Sequence, residues 1–226
     1  MTIDVEPFLL TLRLAVISTI ILFTISLPLA YWLAYSNARY KFIVEALVSL
    51  PLILPPSVLG FYLLLAFSPQ MFLGGLLEKY FDLRLVFTFP GLVVASVLYS
   101  LPFMVQPFQS GFRMIPTALA ETSYTLGKSK FETLYRVLLP NMRAALITGS
   151  ILAFAHTIGE FGVVLMIGGS IPGETRVVSI ALYDEVQAMN YGNANTYAAI
   201  LLLFSFVVLM SVYVINQRFN RNLFGT

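Results

Sequence analysis

His156 and Glu160 stand four residues apart inside a long apolar run, and no other histidine occurs in this chain of 226 residues. On a helix that spacing puts both side chains on one face. Ionisable groups within an apolar span invite a functional reading. Two ligands are too few for a metal ion, and the absence of cysteine removes thiolate ligands and a thiol nucleophile together. An ionised Glu160 would repel any anion. A hydrogen-bonded structural role at a helix or subunit interface is therefore favoured over a direct functional one. Gly127-Lys128-Ser129 matches the end of a phosphate-binding loop, but Thr122 stands where that loop needs its first glycine, and a helix rather than a strand precedes it. Gly168-Gly169-Ser170 could offer backbone amides to an anion; a plain turn is favoured. No paired aspartates, no serine–histidine pair at a shared surface and no metal cluster emerges, so the reading is of a chain that is not an enzyme, with no catalytic, metal or cofactor-binding residues.

The elements that position these residues are read from composition. Only 11% of residues are charged and the mean hydropathy is +0.86, whereas soluble domains carry about 25% charged residues. The apolar residues come in runs of spanning length, roughly 20 residues each. Residues 8–35, 42–67, 89–112, 144–167 and 196–217 are five candidate spans, all expected to be helical because lipid cannot satisfy backbone hydrogen bonds. Residues 171–191 are too short in their apolar part, 177–183, to span; that segment is left to lie at the interface or dip in beside protein. Pro51, Pro55 and Pro56, followed by Ser57, interrupt the second span. Such a break is tolerated where a helix lines protein or water, and a kink for packing explains it equally well. Arg13, near the outer end of its span, is expected to snorkel to the surface. The acidic start, MTIDVEPF, does not resemble a cleaved signal.

Five spans put nine of the 13 basic residues on one side: Arg39, Lys41, Arg113, Lys128, Lys130, Arg136, Arg143, Arg218 and Arg221. Only Glu121 and Glu132 oppose them there. The excess of positive charge places that side in the cytoplasm, the N-terminus outside and the C-terminus inside.

Residues 113–143 then form a cytoplasmic polar island. Thr117 is expected to cap a short helix with Glu121 near its positive end, and Gly127 to terminate it in a left-handed conformation. Ser129 and Glu132 have the spacing of a capping box that opens a second helix. Pro140 suits the first turn of the next span. Long structured loops are usually functional, so a docking element for a soluble partner is favoured over a loop that is merely helical.

Glu121, Gly127 and Pro140, with Val137 and Leu139 before the proline, resemble the EAA loop of ABC importer permeases. That resemblance implies an all-α integral membrane protein of the type I importer permease fold, a single transmembrane domain over 1–226 with its coupling loop at 113–143. It also implies that the loop's short helix sits in a cleft of an ATP-binding subunit and couples that subunit's closure to the spans, through Thr117, Glu121, Thr122, Ser123, Tyr124, Gly127 and Pro140. Thr122 and Ser123 replace two alanines frequent in the family; small residues remain. The segments 49–67 and 153–186, with GEFG and GGSIPGET, are similar to permeases of the molybdate/sulfate branch. The implied function is inward movement of molybdate or tungstate by alternating access, with sulfate or another oxyanion as the alternative. The implied partners are a second copy of the chain, two ATP-binding cassette subunits, an extracytoplasmic oxyanion-binding protein and the lipid bilayer, with no nucleic acid and no cofactor. Pathway or interface candidates are Pro55, Pro56, Ser57, His156, Glu160, Gly168, Gly169 and Ser170. The acidic outer loops 74–84 and 171–184 are candidate contacts for the binding protein. An inverted-repeat secondary transporter finds no support, since no internal repeat is visible. An intramembrane enzyme lacks its residues, and a self-contained channel has no use for the island.

Overall fold

The computed structural model describes residues 4–224; the first three and last two residues of the 1–226 domain lie outside the described residues. In chain order the helices are α1 (Glu6–Tyr35), α2 (Lys41–Ser49), α3 (Pro56–Phe67), α4 (Phe72–Phe81), α5 (Phe89–Met114), α6 (Thr117–Thr125), α7 (Lys130–Thr133), α8 (Leu139–Asn141), α9 (Arg143–Gly159), α10 (Gly162–Gly168), α11 (Val178–Gln187) and α12 (Tyr191–Phe224). No strand occurs among the described residues.

Three stretches, Glu6–Tyr35, Phe89–Met114 and Tyr191–Ile215, are each long and apolar enough to cross a membrane. The second expected span is not one helix. Lys41–Leu52 and Pro56–Phe67 meet at 110°. The cause is local: Pro56 forces Pro55 out of the helical region, and Pro55 sits at φ −54°, ψ 135°. The expected span at 144–167 is also broken. Helix α9 stops at Gly159, Glu160 is extended at ψ 138°, and α10 begins at Gly162. Glycines on both sides of the break weaken helix there. A further bend of 76° separates Lys130–Asn141 from α9. Counting each bent pair as one crossing gives five.

In lipid no exclusion of water drives apolar helices together, so close approach and polar pairs decide packing. Helix α1 lies along α5, and α9 closes against both. One core cluster, at the end of the bundle that carries α6, joins Leu22, Leu33, Met104, Phe108, Phe112 and Met142. A second, toward α11, joins Leu14, Leu92, Val163, Ile167 and Ile180. Helix α11, ten residues long, buries Val178–Ala181 and is anchored where the Val178 N–H donates to Thr11 Oγ1 at 2.8 Å. That settles the form of the uncertain 171–191 segment: a turn, then a short packed helix. Arg13 is exposed, and its guanidinium lies 4.6 Å from the centre of the Phe89 ring.

Candidate functional site

The polar island folds as two helical pieces around an elbow. Helix α6 ends at Thr125, and Gly127 adopts φ +75°. The Gly127 N–H donates to Tyr124 O at 2.9 Å and the Lys128 N–H to Ser123 O at 3.1 Å, the two bonds of a Schellman stop. Ser129 and Glu132 then make the capping box: the Glu132 N–H donates to Ser129 Oγ at 3.1 Å while the Glu132 carboxylate faces the Ser129 N–H. That N–H, with the Lys128 ammonium beside it, holds the Glu132 carboxyl below its ordinary range.

Three details differ from the sequence reading. Thr117 is the first helical residue, not the cap; Pro116 precedes it, extended, and the Thr117 side chain makes no capping bond. Glu121 is the fifth residue of α6, past the first turn, where the helix dipole acts most. Pro140 does not open the span. It sits in the last turn before the 76° bend, after a five-residue π turn, Leu134–Leu138. Proline lacks an N–H and crowds the carbonyl four residues back, and a widened turn accommodates both.

The elbow is fixed from inside. Ser123 and Thr133 are buried, with their hydroxyls 2.9 Å apart. Outside, Glu121, Thr122 and Tyr124 are exposed, and so are Leu126 (74%) and Phe131 (68%). Phe131 and Tyr135 pair their rings at 4.7 Å. Exposed large apolar side chains beside a charged surface mark a contact surface.

The pathway candidates separate into two groups. The two helix breaks face each other: a Cβ built on Gly162 would lie 2.7 Å from Pro56 Cβ and 3.4 Å from Ser57 N, and one on Gly60 would lie 2.7 Å from Met166 Cβ. Pro56 and Ser57 therefore meet the segment after Glu160, and Pro55 is the residue before them at the break. His156 and Glu160 do not share a helical face, because the helix ends between them. His156 Nδ1 lies 3.0 Å from Ser100 Oγ, a serine–histidine pair that the sequence reading did not find because the two lie 56 residues apart, and the ring stacks on Phe103 at 3.8 Å. Glu160 is 5% exposed. Its backbone carbonyl accepts from Ser179 Oγ at 2.5 Å, while neither carboxylate oxygen has a hydrogen-bond partner among the described residues.

Gly168, Gly169 and Ser170 are not the turn the sequence suggests: Gly168 is the last residue of α10, Gly169 caps it, and the turn falls later, at 172–175. Gly169, at φ +63°, donates its N–H to Leu165 O at 2.9 Å. Ser170 Oγ donates to Asp184 Oδ2 at 2.6 Å, which sets a carboxylate where an anion would have to sit. The rest of GGSIPGET locks this face. Thr175, fully buried, accepts from the Ile171 N–H and donates to Gly168 O. Glu174 Oε1 accepts the Phe89 N–H at 2.9 Å at the start of α5, and Arg176 Nε donates to Asp184 at 3.0 Å. Two acids of segment 171–184 are thus used within the chain, and in segment 74–84 Glu78 pairs with Arg84. No group of three or more His, Cys, Asp or Glu converges among the described residues, so no metal ligand set is present there.

A row of polar contacts escaped the sequence reading. Glu45 Oε1 accepts from Gln109 Nε2 at 2.7 Å and from Arg113 Nη2 at 2.8 Å. The signal was available: Gln106, Gln109 and Arg113 recur at helical spacing in an otherwise apolar span.

A short helical elbow at one end of a bundle with two broken spans is the architecture with which the comparisons agree. Residues 26–224 match the family described as binding-protein-dependent transport system inner membrane component. The chain belongs to that family. This inner membrane component is 47% identical to the molybdenum transport system permease protein ModB of Azotobacter vinelandii, over 97% of each chain. It is 33% identical to the sulfate transport system permease protein CysT of Escherichia coli (strain K12), over 85% of this chain and 71% of that protein. Among solved structures, the inward-facing MetNI methionine ABC transporter superposes with a TM-score of 0.72 at 18% identity, covering 94% of both chains. A bacterial ABC transporter that imports alginate gives 0.76 at 17% identity, over 95% of this chain and 79% of that one. At such identities the structures carry the fold: an ABC importer permease.

Proposed function

We propose that this chain is the membrane-spanning subunit of an ATP-driven importer of molybdate, working by alternating access. The observation that carries the reading is the elbow at 117–135: buried Ser123 and Thr133 fix its angle, and Leu126, Phe131 and Tyr135 stand exposed beyond it. A rigid element with an exposed apolar edge suits a cleft in an ATP-hydrolysing partner, and closure of that cleft would push on the chain at Thr117, Glu121, Thr122, Ser123, Tyr124, Gly127 and Pro140.

The excess of basic residues on the α6 side supports a cytoplasmic elbow, an outer N-terminus and an inner C-terminus. Two copies of the chain would line the pathway about a two-fold axis, with two ATP-binding subunits below and an anion-binding protein above. Hydrolysis belongs to the ATP-binding subunits. Loaded binding protein must favour one state of the complex for the cycle to run. The breaks at Pro55, Pro56 and Ser57 and at Glu160 are the elements that would line or gate the path.

Molybdate is preferred over sulfate because the 47% relative is a molybdenum permease matched over its whole length, while the sulfate relative stands at 33%. The test is uptake of labelled molybdate in cells lacking their own permease and carrying this chain with its partners, against equal excesses of unlabelled tungstate and sulfate. Uptake that resists sulfate supports the reading. Assembly without molybdate uptake moves the cargo to sulfate or another oxyanion. The coupling assignment is tested by combining Glu121→Lys with Gly127→Pro; cargo-stimulated ATP hydrolysis that survives both overturns it.

A further inference from the structure

We infer that a polar ladder between α5 and α2 carries movement of α6 into the broken second span, with Glu45 and Arg113 as positioning residues; this rests on the coupling reading above. Gln106, Gln109 and Arg113 lie at i, i+3 and i+7, so they share one face of α5. Each meets α2. Gln106 Nε2 donates to Ser49 Oγ at 3.3 Å, Gln109 Nε2 to Glu45 Oε1 at 2.7 Å, and Arg113 Nη2 to that same oxygen at 2.8 Å. Gln109 also donates to Leu33 O at 3.3 Å, so α1 is tied in as well.

Placement makes the ladder a transmission element. Arg113 lies in the last turn of α5, and Ile115 and Pro116 alone separate that helix from α6. At the other end, Ser49 leads directly into the tight turn Leu50–Leu52 and the Pro55–Pro56 break. The far side of that break packs on Gly162, beside the second break. A displacement of α6 therefore reaches both broken spans through one turn of helix and one shared carboxylate oxygen. The Arg113 and Glu45 side chains are 51% and 36% exposed, and an ion pair that open adds little to folding. Its loss should be felt in transmission, not in stability. Coupling between distant sites can be carried by chains of hydrogen-bonded side chains, and the ladder is such a chain.

The test uses the assembled complex in proteoliposomes, this chain with its ATP-hydrolysing and cargo-binding partners, and radiolabelled molybdate as the probe. Glu45→Arg, Arg113→Glu and the double exchange are compared for molybdate moved per ATP hydrolysed and for thermal unfolding. Each single reversal is expected to lower that ratio by about fivefold or more, with an unfolding temperature within about 2 °C of the parent. The exchange should restore the ratio to within about twofold, because the Gln109 amide can turn its oxygen toward an arginine at position 45. Glu45→Gln, which removes the charge and keeps the volume, serves where reversal disturbs assembly, and should also lower the ratio. An unchanged ratio in the single variants, a ratio the exchange does not restore, or a ratio that falls only together with unfolding temperature overturns the ladder's role. A parent complex in which cargo fails to stimulate hydrolysis overturns the coupling reading itself, so the two failures are distinct.

Discussion

Ser123 Oγ and Thr133 Oγ1 lie 2.9 Å apart, buried across the elbow between α6 and α7. They join the helix with the exposed edge to the element that leads into α9, so the angle between the two is set by one hydrogen bond in a small core.

Thr133→Val keeps the shape and leaves the Ser123 hydroxyl buried without a partner, a cost of about 1–3 kcal/mol. The expected outcome is a lower unfolding temperature in detergent and weaker copurification of the ATP-binding partner. Adding Ser123→Ala should recover part of both, since removing both polar groups avoids the orphan. A single variant that matches the parent in both assays shows that the bond does not hold the elbow.

The capping box should give the elbow a pH dependence of known sign. Glu132 is depressed by the Ser129 N–H and by Lys128. A depressed acid contributes stability that is present above its unfolded value and is lost as pH falls through its folded value. Amides of residues 126–133 should stay protected in hydrogen exchange near neutral pH and lose protection as pH falls below the ordinary glutamate range. Glu132→Gln should abolish that step. Protection that is flat with pH in the parent chain would exclude the carboxylate as its source.

Glu160 presents a buried carboxyl group with no hydrogen-bond partner among the described residues, while Ser179 holds its backbone carbonyl. Glu160→Gln keeps the shape and breaks no ion pair, so assembly and substantial molybdate uptake should persist. Glu160→Lys forces an unpaired ammonium into the same space and should reduce assembly, because a buried charge without a partner costs several kcal/mol. Complete loss of uptake in Glu160→Gln, with normal assembly, would assign the carboxylate a direct role in transport.

Much of this was legible in the residues, for reasons that separate local from distant causes. The Gly127 stop and the Ser129–Glu132 box depend on backbone geometry within five residues, and their residue types report it directly. The spans were legible as apolar runs, but apolar character does not report continuity. Pro55 and Pro56 announced the first break; Glu160 and Phe161 carry no comparable signal, and the second break needed the structure. The same limit hid the partners of His156, which lie on α5 more than 50 residues away. Glu45 likewise meets Gln109 and Arg113 only in the fold, because they lie 64 and 68 residues away in the chain.

The contact between the two breaks depends on a missing side chain. A Cβ on Gly162 would lie 2.7 Å from Pro56 Cβ, closer than carbon atoms tolerate, so Gly162→Ala must push α3 and α10 apart. Overpacking of this kind costs about 1–3 kcal/mol. Gly162→Ala is expected to lower both unfolding temperature and molybdate uptake, and Gly162→Val to lower them further. Gly159 is the control, because a Cβ there meets nothing within 4 Å. Gly159→Ala should leave both measurements at the parent level. Equal effects at 159 and 162 would mean that helix propensity near the break matters and the close approach of α3 to α10 does not. An effect confined to 162 ties transport to how closely the two broken spans can meet.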